Sequence, residues 1–456
     1  MFAVSVLVSV LLLIGAWSFR QTRSTEAFAV AGRSAPAWLV AGSLVATIVG
    51  GSSTLGMAGL GFSKGLVGAW WLLGGVVGLL VLGAVLVERV RSTEVYTLPE
   101  LLGRQYGSGV KTVASVLIAV AWLGIIAGQM VAAGQVLTVI SPWPQADSIV
   151  VAGLVLIGYA FLGGQHSILR TDALQCVVLV VGIVVCAFVG VQEIGGLSEL
   201  RRALPPGRLA FPIRDATDLP FVTRMLVLVG STYLVGPDIY SRLLCARDAR
   251  AARRAVFCAA GVLVPVALAV VTVGLTARAH FPYLQAEQAF PTVIAELLPK
   301  TSAVLVVAAL LAALMSSADT CLVTASVIVG IDVLRDHFAP TLDERRQLTL
   351  CRLCVLVLGG LSLVTALHMQ SIIKSLMLGY TLYAAGLAIP TLAGFWRKKL
   401  RVNAAGAIAA AVMGGGLALW AKFGGPPNMD LIAVGASGVV LFLGSWVMAY
   451  RCRAAD

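Results

Sequence analysis

The sequence predicts an all-α polytopic membrane protein of 13 transmembrane helices. Three observations carry that prediction. Only 12% of the 456 residues are charged and 59% are apolar, too little polar surface for a soluble fold, where about 25% of residues are charged. Apolar runs of about 20 residues, the length that crosses a bilayer, recur along the whole chain. The basic residues behind the net charge of +12 gather in the short segments between those runs, as they do on the cytoplasmic side of membrane proteins. A soluble enzyme, a disulfide-stapled secreted domain and a disordered chain are excluded. The basic balance needs no nucleic-acid partner; its expected partner is the lipid bilayer.

In chain order the spans fall at 2–18, 38–61, 66–88, 112–140, 148–163, 173–193, 221–243, 255–277, 301–332, 352–370, 376–396, 403–422 and 430–449. The first lacks the charged leader and small-residue cleavage site of a removed signal. With the N-terminus outside, inner segments hold 23 Lys and Arg and outer segments nine, with Arg224 inside a span. The reverse orientation would put the excess outside, so the chain is expected in the inner (plasma) membrane with its C-terminus cytoplasmic. Arg242, Arg247, Arg250, Arg253 and Arg254 read as topology determinants. The longest hydrophilic stretch, 195–220, reads as an outer loop, so one membrane domain, 1–456, is expected. Cys351 and Cys354 form a CxxC with no second pair or histidine cluster to complete a metal site; reduced thiols are the expectation.

Two spans are wrong for simple helices. The second carries Gly50-Gly51 followed by Ser52, Ser53 and Thr54. Glycines weaken a helix, and hydroxyls compete for its backbone bonds. The seventh carries Gly236-Pro237, which removes a donor and disfavours helix just before it. Irregular backbone at membrane depth survives only where it is buried in protein or lines a polar cavity. The two breaks lie five spans apart, so those spans run in opposite directions. That is the pattern of an inverted five-plus-five repeat with a site at the midplane: 38–193 forms the first repeat and 221–396 the second. An extra N-terminal helix (1–20) and two C-terminal helices (403–449) flank them.

The ninth span carries a polar face. Ala313, Ser316, Ser317, Thr320 and Thr324 recur at helical spacing, with Asp319 on a neighbouring strip. Hydroxyls with one carboxylate suit a hard, weakly held cation, which takes oxygen ligands. An ionisable group inside a span points to function, because burying it unpaired is costly.

These residues carry a resemblance. Phe28 to Arg33, Ala46 to Gly59, Tyr96 to Leu102, Gly163-Gly164, Thr171 to Gln175, Asp238 to Arg242 and Met315 to Asp319 resemble, in that order, the blocks of the sodium:solute symporter family. That family holds bacterial sugar, proline, pantothenate and sialic acid carriers. The resemblance implies a LeuT-like fold and sodium-coupled symport of a small organic solute by alternating access. It implies a Na+ site made by the carbonyls of Ala46, Val49 and Ala313 and the hydroxyls of Ser316 and Ser317. It further implies a second ion position or an exit path at Asp172, with Asp319 and Thr320 opposite. Substrate positions carried over are Gly50, Ser53, Trp71, Leu72, Gln129, Ser231, Thr232 and Tyr380. Where proline carriers have an aspartate this chain has Ile48, and an acidic or glutamine position of other members is Leu72. A small, partly apolar solute is therefore expected rather than a sugar. Trp70 and Trp71 fit interfacial anchors and a site lid equally. The alternatives are a proton-coupled carrier using Asp172, Asp319 and Asp238, and a transporter-like solute sensor, for which no output domain is expected. A membrane enzyme is disfavoured, since no metal cluster, nucleophile–base pair or nucleotide loop stands out.

Overall fold

The computed structural model describes residues 24–162, 165–369, 371–426 and 429–455. The expected first span, 2–18, and Gly163-Gly164 lie outside the described residues. Within them the chain is helical and forms no strand, only an isolated bridge between Ala35 and Ala246. Among the described residues eleven helical stretches are long and apolar enough to cross a membrane.

The expected 38–61 span is not one helix. Helix α1 (Ala37–Ile48) starts after Pro36 and stops where Val49 leaves the helical region (φ −87°, ψ 61°). The chain resumes at Ser52–Gly56 in a wide turn and continues as α2 (Met57–Lys64). Gly65 then takes a positive φ of 78°, open to glycine without penalty. The chain doubles back: a Cβ on Gly68 would meet the Leu60 backbone at 2.7 Å. Helix α3 (Trp70–Val81) follows and runs on to Arg91. α1 alone is too short to span, and α2 joins α3 through this elbow. Among the described residues eleven stretches are counted against the 13 expected: 2–18 lies outside them, and the break leaves α1 too short while the rest of that span joins the next as Ser52–Arg91.

The later helices are α4 (Ser108–Ile140), α5 (Gln145–Leu162) and α6 (Gln165–Glu193). The second interruption separates α7 (Gly230–Val235) from α8 (Pro237–Cys245) at Gly236, which is extended (φ −64°, ψ 137°). Then come α9 (Ala249–His280), α10 (Lys300–Val327), α11 (Glu344–Met369), α12 (Ile372–Tyr383), α13 (Ala404–Phe423) and α14 (Met429–Ala455). α1 packs against α6, α9 and α10; α3 packs against α7; α4 packs against α10 and α12. α10 is buried without interruption from Ala309 to Val327, so its polar face looks into protein, never into lipid.

Two sets of bonds fasten one end of the molecule. Ala35 donates its N–H to the Cys245 carbonyl (3.0 Å), and Arg247 donates to the Ala35 carbonyl (2.9 Å). Arg91 donates to the Ala246 carbonyl at 2.8 Å. The entry to α1 and the exit from α8 are thereby tied together. Elsewhere at that end Lys111, at the start of α4, bridges Asp332 (2.9 Å) and Asp336 (2.6 Å) beyond α10, and Thr97 donates to Asp332 (2.6 Å). At the opposite end the 194–220 loop is pinned over the Gly65 elbow. Leu66 N–H reaches the Arg208 carbonyl (2.9 Å), and Trp70 donates to Pro212 O (2.8 Å) and stacks on Phe211.

Candidate functional site

Four released backbone groups define the first break. In a continuous helix the carbonyls of Ala46, Thr47 and Ile48 would accept from the amides four residues on. Here the last regular bond is Val49 N–H to Val45 O (2.9 Å). Ser317 of α10 instead donates to Thr47 O (2.7 Å) and lies 3.3 Å from Ala46 O. Ser53 donates to Ile48 O (2.9 Å). The freed amide of Gly51 donates to Gln129 Oε1 of α4 (2.7 Å). Glycine is required here by space: a Cβ on Gly50 would run into Ser317 Oγ and Gln129, and one on Gly51 would come within 2.5 Å of Ala132 Cβ. Buried backbone polar groups are costly unless partnered, so the break is held open by side chains from two other helices.

Ser316 does not join Ser317 at the break. Its hydroxyl donates to Asp172 Oδ1 of α6 (2.5 Å). Neighbouring residues on a helix point about 100° apart, so one serine faces α1 and the other α6. Asp172 also accepts from Ser43 of α1 (2.5 Å) and pairs with Arg242 of α8 at 3.0 Å, both side chains fully buried. Arg242 extends to the Thr320 hydroxyl and to Thr47 Oγ1 (3.3 Å). This corrects the reading of Arg242 as a topology determinant: it is 0% exposed and joins α8 to α1, α6 and α10. A buried guanidinium persists because a carboxylate and hydroxyls meet it. Asp319 is buried beside Thr320 (3.4 Å), and its Oδ2 has no hydrogen-bond partner among the described residues. Ala313 is fully buried one turn before Ser317, and Val49 is the residue at which α1 ends.

The eight expected substrate positions divide. Trp71 is buried, with its ring 6.1 Å from that of Tyr380, and its Nε1 finds no partner among the described residues. Leu72 is fully buried on the same helix. Gly50 lies in the break itself. Gln129 and Ser53 are spent on the break, as above. Ser231 and Thr232 donate back to Leu228 O (3.2 and 2.8 Å), the ordinary fate of hydroxyls within a helix. Two groups that sequence reasoning passed over as contacts lie at the second break: the Tyr233 hydroxyl and Asp238 Oδ1, both buried without a hydrogen-bond partner among the described residues. Tyr383 donates to Val235 O, the last carbonyl before this break. An aromatic in an apolar span gives no sequence signal of such a role. Asp238 gave one, being ionisable within a span.

Two interrupted helices meeting a hydroxyl-bearing helix at depth define a membrane carrier with a discontinuous-helix core. The comparisons agree. The chain belongs to the sodium:solute symporter family, whose family model matches residues 28–414. It is 25% identical over 473 residues to a sodium/glucose cotransporter of Vibrio parahaemolyticus, covering 92% of this chain and 84% of that one. It is 24% identical over 428 residues to a sodium/proline symporter of Haemophilus influenzae, covering 89% and 84%. The fold matches a Na+-coupled sialic acid symporter solved in a substrate-bound outward-open state, at a TM-score of 0.86 and 16% identity, over 98% of this chain and 96% of that one. The relatives are transporters. This chain is a sodium-coupled solute symporter with Na+ as coupling ion and a LeuT-like, all-helical membrane fold.

Proposed function

We propose that the chain carries one sodium ion per cycle at the break between α1 and α2, together with a small, partly apolar organic solute held between the two breaks. In this reading residues 1–456 form one transporter domain of 13 spans. The repeats 38–193 and 221–396 are inverted, the N-terminus is outside the plasma membrane and the C-terminus is cytoplasmic. The observation that carries it is the Ser317 hydroxyl set on Thr47 O and Ala46 O: carbonyls freed from a helix, at the face of a buried hydroxyl, are the oxygen donors a hard cation takes. Ala46, Val49 and Ala313 would supply carbonyls and Ser317 a hydroxyl, and Ser316 would turn from Asp172 to complete the set.

The Arg242–Asp172 pair supports an exit path here rather than a second resident ion. The charge of Asp172 is already met, and Asp319 and Thr320 line the route beyond it. The same pairing weighs against Asp172 as a proton carrier. For the solute, Trp71, Leu72, Tyr380 and Gly50 supply an apolar and aromatic wall. Tyr233 and Asp238 add polar groups that a hydroxyl or amine on the solute would satisfy. The named solutes of the relatives, glucose and proline, belong to chains of 24–25% identity and do not fix this one.

The two fastenings support alternating access. The ends of α1 and α8 are bonded to each other, α4 and the end of α10 to each other, and the Arg242 cluster crosses between the pairs. Sodium on the break would draw α1 against α10 and set the solute wall; rocking one pair against the other would open the Arg242 cluster and release the ion inward. One positive charge moved inward gains about 2.3 kcal/mol per 100 mV. The test is the Ser316→Ala, Ser317→Ala double variant, read by thermal stabilisation of the purified protein in sodium chloride against choline chloride. The sodium needed for half-maximal stabilisation should rise about tenfold or more, the loss of one good ligand interaction. An unchanged sodium dependence defeats the assignment.

A further inference from the structure

The groove between α1 and α9 opens on the outer surface of the helix bundle, beside the basic 247–254 segment. It has a volume of about 740 Å³, with Ala37, Trp38 and Ala41 on one side and Phe257 and Cys258 on the other. Arg250, Arg253 and Arg254 complete its lining. Trp38 is 70% exposed, and an exposed tryptophan at a span's start sits at headgroup level.

Helix α9 turns one stripe outward. Residues 250, 253, 254, 257, 258, 261 and 262 are exposed, while 251, 252, 255, 256, 259 and 260 are buried. The stripe is cationic in its first two turns and apolar afterwards. Gly261 has nothing within 4 Å of where a Cβ would lie, so the groove continues smoothly along the helix. Arginines at a helix start oppose the positive end of its dipole, and local carboxylates do not answer them all. Glu88 takes Arg253 (3.1 Å). Asp248 caps the helix by accepting from Ala251 N–H (2.6 Å) and pairs with Arg247 (3.4 Å). Arg250 and Arg254 form no ion pair among the described residues.

Topology alone explains basic residues on this side, but not their alignment over an apolar trough. A soluble anion has no use for the trough, and a neutral lipid has none for the cations. We propose that this groove binds one anionic phospholipid, its phosphate on Arg250 and Arg254 and an acyl chain along α9 past Phe257 and Gly261. Basic pockets between membrane helices recognise such headgroups by charge. The site is independent of the transport reading.

The experiment uses the full-length protein, stripped of lipid in detergent and titrated with dioleoyl phosphatidylglycerol or dioleoyl phosphatidylcholine. Native mass spectrometry should show one retained phosphatidylglycerol at roughly tenfold lower lipid concentration than phosphatidylcholine, a preference abolished in Arg250→Gln, Arg254→Gln. A second measurement needs no change in the arginines. Maleimide modification of Cys258, with Cys258→Ser as background, should slow several-fold with phosphatidylglycerol and not with phosphatidylcholine. Equal retention of the two lipids, or a double variant that keeps the preference, overturns the proposal. So does equal protection of Cys258 by sn-glycerol 3-phosphate alone, which would make the site one for a free anion.

Discussion

The two breaks solve one problem in opposite ways. At Gly50-Gly51 two of the freed groups are answered from other helices, Thr47 O by Ser317 and Gly51 N–H by Gln129, and Ile48 O is answered locally by Ser53. At Gly236-Pro237 proline has already removed one donor, so less needs answering, and Tyr233 and Asp238 are left with unspent polar atoms. The first break is clamped and the second is open-handed. In the proposed reading the clamped break, whose oxygens already point at hydroxyls, takes the ion, and the break with spare polar atoms beside aromatic rings takes the solute.

The sharpest way to break that contrast is to cut the arginine that spans it. Arg242→Ala leaves Asp172 buried without its cation, and breaking a buried pair this way costs about 3–5 kcal/mol. The expected outcome is a large fall in melting temperature and loss of uptake, with part of the stability regained in Arg242→Gln, Asp172→Asn. A stable Arg242→Ala protein with full uptake would refute the cluster as a structural bridge. Next is Gly50→Ala. Its methyl would displace Ser317 or Gln129, so sodium-dependent stabilisation should weaken about tenfold, on the scale of about 1–3 kcal/mol for overpacking. Normal sodium titration would show that the break has slack.

Gln129→Ala sharpens the division of labour. Orphaning the Gly51 amide should cost about 1–3 kcal/mol of stability and raise the sodium requirement, and Gln129→Glu should restore most of it. An effect on solute affinity alone, with sodium binding untouched, would return Gln129 to the solute wall. The smallest effect is expected at Pro237→Ala, because the extended Gly236 ends α7 by itself; the restored N–H adds one donor to answer, a cost of about 1 kcal/mol at the low end for an unmade bond, and should lower the melting temperature only slightly. A large loss would make the proline, not the glycine, the origin of the second break.

Both breaks were legible because their cause is local. Gly-Gly followed by three hydroxyls, and Gly-Pro, disrupt a helix whatever surrounds them. The hydroxyl face of α10 was legible for the same reason, since helical spacing places Ser316, Ser317 and Thr320 on one side. What that side meets was not. The division of Ser316 to Asp172 and Ser317 to α1 depends on where two other helices lie, and a span pattern carries no such angle. Arg242 was hidden for a different reason. Counting charges by loop treats every arginine near a span end alike, whereas its burial depends on Asp172, 70 residues away in sequence. That Gln129 also accepts from Gly51 was hidden, because nothing in its own span says that Gly51 needs an acceptor.

The short backbone bridge at Ala35 and Ala246 has a bearing on leakage. It rivets together the tips of the two snapped rods, so neither can swing without its twin. In the proposed cycle a gate built as two hinged leaves on one pin would open for both passengers together, and a sodium ion slipping through alone would have to tear the pin.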